Sequence, residues 1–283
     1  MRSPRRWVVL AVCATVGAVA VVGAVVVAGA GQLGPPWQGR VRAPATAAPQ
    51  AWQVVGLGDS IPAGDGCDGC VGFLDLFGRE ITRDTARRVD VTNLGVGGWT
   101  SEDLLTSLTR DDQATGAVSG ADIVTITIGA NDFNPILDDL VAGRCGGADG
   151  LDCFQPAMDP LEHNLTAILD RVRQLRGARP TAVRVTGYWN VFIDGAVAAR
   201  TWGPDFERGS QALTQQVNDL IRQVALDEHA DYVDLFSRFK GADGQRDDTD
   251  LLAPDGDHPS QAGDQLIADS LAELGYRPLD TGP

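Results

Sequence analysis

The sequence predicts an α/β fold in which a parallel sheet is covered by helices on both faces. Two patterns carry that expectation. Short runs rich in β-branched residues recur at 53–57, 89–94, 123–128, 182–186 and 231–235, and segments with apolar residues at helical spacing separate them. Strands that alternate with helices require crossover connections, which make neighbouring strands parallel and place helices over them.

The elements follow in chain order. The first run, Gln53-Val54-Val55-Gly56-Leu57, is apolar without alternation, as a strand buried on both faces should be. Phe73, Leu74, Phe77 and Ile81 then fall on one helical face. The runs at 89–94 and 123–128 repeat the strand pattern. Leu161, Leu165, Ile168, Leu169 and Val172 mark a second helix ahead of the run at 182–186. Leu213, Val217, Leu220, Ile221 and Val224 mark a third, before the run at 231–235, and Leu266, Ile267 and Leu271 mark the last. Each stripe is expected to pack into the core.

The N-terminus has a different character. Arg2, Arg5 and Arg6 precede 24 residues, 7–30, that carry no charge. As a helix that run would reach about 36 Å, enough to cross a hydrocarbon layer of roughly 30 Å. Ala28, Gly29 and Ala30 also suit a cleaved signal peptide. Either way the arginines stay in the cytoplasm and the remainder is exported. The expected organisation is a signal anchor or signal peptide at 1–30, a Pro/Ala/Gly-rich linker at 31–51, and a catalytic domain at 52–283. A net charge of −15 and a pI near 4.5 exclude nucleic acid as a partner, because a polyanion would be repelled.

Cys13 lies in the apolar run, which leaves Cys67, Cys70, Cys145 and Cys153 in the exported part. An even set in an oxidising compartment suggests disulfides, and short separations favour Cys67 with Cys70 and Cys145 with Cys153. Cys67-Asp68-Gly69-Cys70 also has the spacing of a thioredoxin-like redox pair, but none of the surroundings of one.

In open α/β sheets, ligands bind beyond the carboxyl ends of the strands. Gly58-Asp59-Ser60 follows the first strand, Asn93-Leu94-Gly95-Val96-Gly97-Gly98 ends the second, and Gly129-Ala130-Asn131-Asp132 follows the third. Three polar or glycine-rich turns therefore converge on one rim. A serine hydroxyl is a weak nucleophile until a base takes its proton. Of the three histidines, His163 and His229 lie in helical segments, whereas His258 sits in the turn Asp255-Gly256-Asp257-His258-Pro259 before the last helix. Asp255, three residues before His258, can approach the imidazole across a tight turn and orient it. Ser60, His258 and Asp255 are thus the expected nucleophile, base and orienting acid; the competing reading of the last stretch is an Asp-Gly turn whose Ser260 caps the helix that follows.

At Gly58-Asp59-Ser60, Gly98, Gly129-Ala130-Asn131-Asp132 and Asp255-Gly256-Asp257-His258, the sequence resembles the SGNH (GDSL-type) hydrolase family over about residues 52–275. The blocks occur in the family's order, each in the predicted context. The resemblance implies a flavodoxin-like three-layer α/β/α sandwich around a five-stranded parallel sheet. It also implies a serine esterase or lipase that works through an acyl-enzyme. The oxyanion hole would comprise the Ser60 and Gly98 N–H groups and the Asn131 amide. Gly98 is assigned by its place five residues after Asn93, with Gly97 and Gly95 as fallbacks. Ile61 and Pro62 stand where a leucine often follows the serine, and Pro62 suits a first helical turn. Some members of the family replace the aspartate by a backbone carbonyl.

Two other readings compete. A metal-dependent phosphoesterase would use Asp59, Asp65, Asp68, Asp132, Asp255, Asp257 and His258, but such sites recruit several imidazoles and only one is well placed. A non-catalytic binding domain on the same scaffold would have lost part of the constellation. The expected substrate is a lipid or short acyl ester, with acetylated glycan second and thioester third, and no cofactor or metal is implied. Segments 143–155 and 188–206 are expected to wall the cleft, with Trp99, Trp189, Phe192, Trp202 and Phe206 either lining an acyl pocket or packing in the core.

Overall fold

A computed structural model describes residues 50–279. The expected N-terminal membrane or signal helix at 1–30 and most of the linker lie outside the described residues. Among the described residues no helix is long and apolar enough to cross a membrane.

The chain order is β1 (Trp52–Gly58), α1 (Ser60–Ala63), α2 (Phe73–Thr85), β2 (Val89–Gly95), α3 (Ser101–Arg110), α4 (Asp112–Gly120) and β3 (Ile123–Thr127). A 3-10 segment, Ala130–Ile136, leads into α5 (Leu137–Val141), then α6 (Gln155–Arg176), β4 (Ala182–Thr186), α7 (Gly195–Thr201) and α8 (Pro204–Asp227). β5 (Asp231–Val233), α9 (Leu235–Lys240) and α10 (Gln261–Ala272) complete it. The five strands are all parallel, in the order β2-β1-β3-β4-β5. Helices α2, α9 and α10 pack together as one layer, while α3 and α4 pack on α6 and α6 on α8 as the other.

The two central strands read as they must. β3 is buried at all of its residues, and β1 at all but Gln53. The predicted stripes face the core: Phe73, Phe77 and Ile81 from α2, Leu161, Leu165 and Ile168 from α6, and Leu213, Val217 and Ile221 from α8. At roughly 1.5–3 kcal/mol for each such side chain removed from water, these layers dominate the stability of the sheet.

The last strand is shorter than the run at 231–235 suggests. The Asp234 carboxylate accepts the Ser237 N–H at 3.0 Å and starts α9, so the chain turns helical at Leu235. α3 and α4 are short, and local chemistry starts both. Thr100 and Asp103 form a reciprocal capping box at the start of α3, and Asp111 caps α4.

The order β2-β1-β3 places the direction reversal of the chain between β1 and β3. In doubly wound sheets a crevice opens at that point, beyond the strand ends. The turns after β1, β2 and β3 all meet there.

Candidate active site

The first turn is built around a buried carboxylate. Asp59, 1% exposed, caps α1 by accepting the Ile61 N–H at 3.0 Å. Its other oxygen accepts the Tyr188 hydroxyl proton at 2.5 Å. Burial drives its pKa up to about 7, against those two hydrogen bonds. Asp59 therefore braces the turn, and Ser60, half-buried, begins the short helix. The Asp59 N–H bonds Thr127 O at 3.1 Å and the Val96 N–H bonds Gly58 O at 3.0 Å, which tie this turn to the ends of its two neighbours. The Asn93 side-chain amide donates to Pro62 O, fastening α1 to β2.

The second turn closes through Trp99 N–H to Val96 O at 3.2 Å, with Gly98 at φ +80°. That conformation needs glycine, and a Cβ there would point into open space. The third turn carries Asn131, whose amide donates one hydrogen to Trp99 O at 2.9 Å. The Asn131 carbonyl accepts from Asn134 at 2.9 Å, which fixes the amide orientation. One Asn131 N–H is left without an acceptor among the described residues. Asp132 points the other way and accepts the Ser101 N–H at 3.0 Å and its hydroxyl at 2.5 Å, locking this turn to the start of α3.

The loop before α10 supplies the fourth part. Asp255 accepts the Asp257 and His258 N–H groups at 3.0 and 3.1 Å on one oxygen. Its other oxygen lies 2.8 Å from His258 Nδ1. Partial burial raises the Asp255 pKa, but the hydrogen bonds and the imidazole charge outweigh it and hold the group below the ordinary carboxylate range. Asp257 makes no such contact, and burial raises its pKa. Ser260 caps α10, as its place in the sequence suggests.

Two supports hold this loop in place. From below, the Asp194 N–H donates to Gly256 O at 2.7 Å, and the Asp194 carboxylate binds Lys240 Nζ at 2.7 Å. Lys240 also stands 3.6 Å from Asp248, whose pKa burial and the Asp194 charge lift to about 6. From the side comes Gly66, six residues after Ser60. A Cβ on Gly66 would lie 2.5 Å from His258 Cβ and 2.6 Å from Asp255 Oδ2. The segment that follows the serine thus packs directly on the histidine and its aspartate.

Ser60, Gly98 and Asn131 stand on the linked turns after β1, β2 and β3, and the loop of Asp255 and His258 packs on the segment that follows Ser60. Disulfides join Cys67 to Cys70 and Cys145 to Cys153. Among the described residues no group of three or more His, Cys, Asp or Glu side chains is arranged to hold a metal ion. Three of the aromatic residues nominated as pocket walls are core residues: Trp189, Phe192 and Phe206 are at most 5% exposed. Trp189 stacks on Phe239 at 4.3 Å, and Phe192 sits among Phe154 and Phe206, with Trp202 against Phe206. Gly66 and Tyr188 carry no motif, and their contacts join segments that the sequence does not link.

Comparison with known proteins places this geometry in a family. A sequence model described as the GDSL-like lipase/acylhydrolase family matches residues 57–266. An uncharacterized protein of Bacillus subtilis (strain 168), YpmR, is 26% identical over 233 residues, which cover 82% of this chain and 84% of that protein. The lipase Lip_vut3 from a goat rumen metagenome superposes with a TM-score of 0.65 at 20% identity, covering 80% of this chain and 98% of its own. A catalytic mutant of Axe2, an acetylxylan esterase from Geobacillus stearothermophilus, gives a TM-score of 0.56 at 19% identity, covering 80% of this chain and 94% of its own. These two likenesses establish a shared fold, and the family match spans the turns after β1, β2 and β3 and the loop before α10. The chain belongs to the GDSL-like lipase/acylhydrolase family and is an ester hydrolase.

Proposed function

We propose that the chain is an extracytoplasmic serine esterase in which Ser60 attacks the ester carbonyl, His258 is the base and Asp255 orients it. The observation that carries this reading is the 2.8 Å contact between His258 Nδ1 and Asp255 Oδ2. With the proton on Nδ1 held by the carboxylate, Nε2 is the nitrogen free to take a proton from a hydroxyl. As Ser60 Oγ bonds the carbonyl carbon, its proton passes to Nε2 and the carbonyl oxygen becomes an oxyanion. The Ser60 and Gly98 N–H groups and the free Asn131 N–H receive that charge, and each such donor typically lowers the barrier by about 2.7–4 kcal/mol. His258 then returns the proton to the leaving alcohol, and water repeats the sequence to release the acid.

A short acyl group is proposed because, of the five aromatic side chains nominated to line a pocket, only Trp99 and Trp202 reach the surface. With Trp189, Phe192 and Phe206 in the core, those side chains form no apolar wall for a long chain. Short acyl esters are therefore the proposed substrates, and an acetylated glycan is the second reading on the same observation. Residues 1–30 are proposed as the export segment, 31–51 as a tether and 52–283 as the catalytic domain. The test is p-nitrophenyl ester hydrolysis from acetate to palmitate by the wild type and by Ser60→Ala. Turnover concentrated in the short esters and abolished by the substitution is expected. Turnover that persists in Ser60→Ala, or wild type inert on the whole panel, would sink the proposal.

A further inference from the structure

We infer that Tyr188 is a positioning residue for the oxyanion site, acting through Asp59 to hold the turn of Ser60 in register with the turn of Asn131. The inference rests on the serine-esterase reading above and adds a residue that no motif marks.

Tyr188 follows β4 and is 2% exposed. Its main chain is clamped on both sides by one side chain of α8: Asn218 accepts the Tyr188 N–H at 2.9 Å and donates to Tyr188 O at 2.8 Å. The Tyr188 main chain is thereby fixed to α8. The phenol donates to Asp59 Oδ2 at 2.5 Å, while Asp59 Oδ1 holds the Ile61 N–H at 3.0 Å. The main-chain N–H of Ala130 faces the same phenol oxygen. Ala130 immediately precedes Asn131, and Ile61 immediately follows Ser60. One hydroxyl thus stands between the two turns that carry oxyanion donors.

A buried hydroxyl with a buried carboxylate beside it stays protonated, and burial followed by the Asp59 charge raises the Tyr188 pKa well above its usual value. Tyr188 is therefore a permanent donor to Asp59. Without it Asp59 loses one of two hydrogen bonds in a site that already disfavours its charge. The nearby charged groups, Asp257 and His258, act on Asp59 in opposite directions and do not replace a donor. Asp59 can then relax away from Ile61, and the Ser60 N–H moves relative to Asn131. Oxyanion stabilisation depends on donor placement in the transition state and not on ground-state affinity, so kcat falls while KM holds.

The experiment compares wild type, Tyr188→Phe, Asp59→Asn, the double variant and Ser60→Ala on p-nitrophenyl acetate, with thermal unfolding of each. Tyr188→Phe is expected to lower kcat about 10- to 100-fold at nearly constant KM, in keeping with the sensitivity of catalysis to small misplacements. The double variant should be no slower than Asp59→Asn alone, because the tyrosine acts through the aspartate. Tyr188→Phe within about twofold of wild type in kcat, or losses that multiply in the double variant, overturns the inference. Should Tyr188→Phe not fold, Asp59→Asn must by itself show the kcat-only loss, and a loss in KM instead overturns it. Ser60→Ala separates the two levels: if it remains active, the esterase reading fails whatever the tyrosine does.

Discussion

Adding a single methyl group at Gly66 is expected to slow turnover by about two decades while leaving the fold intact. The Cβ of an alanine there would lie 2.5 Å from His258 Cβ and 2.7 Å from His258 Cγ. Carbon atoms rest at about 3.5–4.0 Å, so the imidazole must retreat by roughly 1–1.5 Å. A displacement of about 1 Å in a catalytic group can remove 10²-fold in rate, or about 2.7 kcal/mol at 1.36 kcal/mol per decade. The same Cβ stands 2.6 Å from Asp255 Oδ2, so the pair cannot escape by moving as a unit toward the carboxylate. Gly66 also has φ +78°, where alanine is strained by about 1–2 kcal/mol, and this must be separated from the contact. Gly69, in the same loop, supplies the control: its φ is +83° and a Cβ there would meet nothing within 4 Å. The assay is kcat on p-nitrophenyl acetate with thermal unfolding for Gly66→Ala beside Gly69→Ala. Both should lose a few degrees of Tm, and only Gly66→Ala should lose turnover. Equal kcat in the two variants would refute the claim that this loop sets the histidine.

Four further outcomes follow from the same structure. Asp264 in α10 is 2% exposed and accepts the Phe73 N–H at 3.1 Å, and burial raises its pKa to about 7. A carboxyl whose folded pKa is raised contributes stability that is complete below its unfolded value near 3.8 and is lost as pH rises through about 7. Asp264→Asn should therefore unfold at higher temperature than wild type at pH 8, by about 2–4 °C or more, with the gap closing by pH 4; no gap at pH 8 counts against the burial argument. Replacing Cys145 and Cys153 by serine opens a loop of sequence separation 8 and should destabilise by about 2–3 kcal/mol in thermal or urea unfolding. The Cys67–Cys70 pair encloses the turn beside Gly66, so its double serine variant should lower kcat as well as Tm, and unchanged turnover would show the loop needs no bridge. Asp255→Asn keeps the shape of the turn but removes the charge beside His258; kcat should fall by at least about tenfold, and less than a fully buried aspartate would give, because the Asp255 side chain is 41% exposed.

The parts of the site that could be read from the sequence are those whose geometry is local. Asp255 and His258 are three residues apart, and a tight turn brings them to 2.8 Å whatever the remainder of the chain does. β1 and β3 were equally legible, because a strand buried on both faces must be apolar throughout. The run at 231–235 exceeds β5 by two residues, since Asp234 and Leu235 carry strand character while the capping bond from the Ser237 N–H makes the chain helical there. α3 and α4 were hidden because few of their residues are buried and their starts depend on side-chain caps. Tyr188 and Asp59 are 129 residues apart and meet only because β4 and β1 flank β3. The aromatic residues of segment 188–206 were ambiguous for a related reason: hydrophobicity alone does not say whether a ring faces a cleft or its neighbours. Packing on Phe154 and Phe239 decided for the interior.

The central claim is that Ser60 is the nucleophile and His258 its base. Its most direct test is a serine-directed phosphonate added to the folded protein, with the adduct located by peptide mass spectrometry in wild type and in His258→Ala. The account predicts one equivalent of label on Ser60, forming rapidly in wild type and at least about 10²-fold more slowly when His258 is removed. Label on any other serine, or on Ser60 at an unchanged rate without His258, would contradict it.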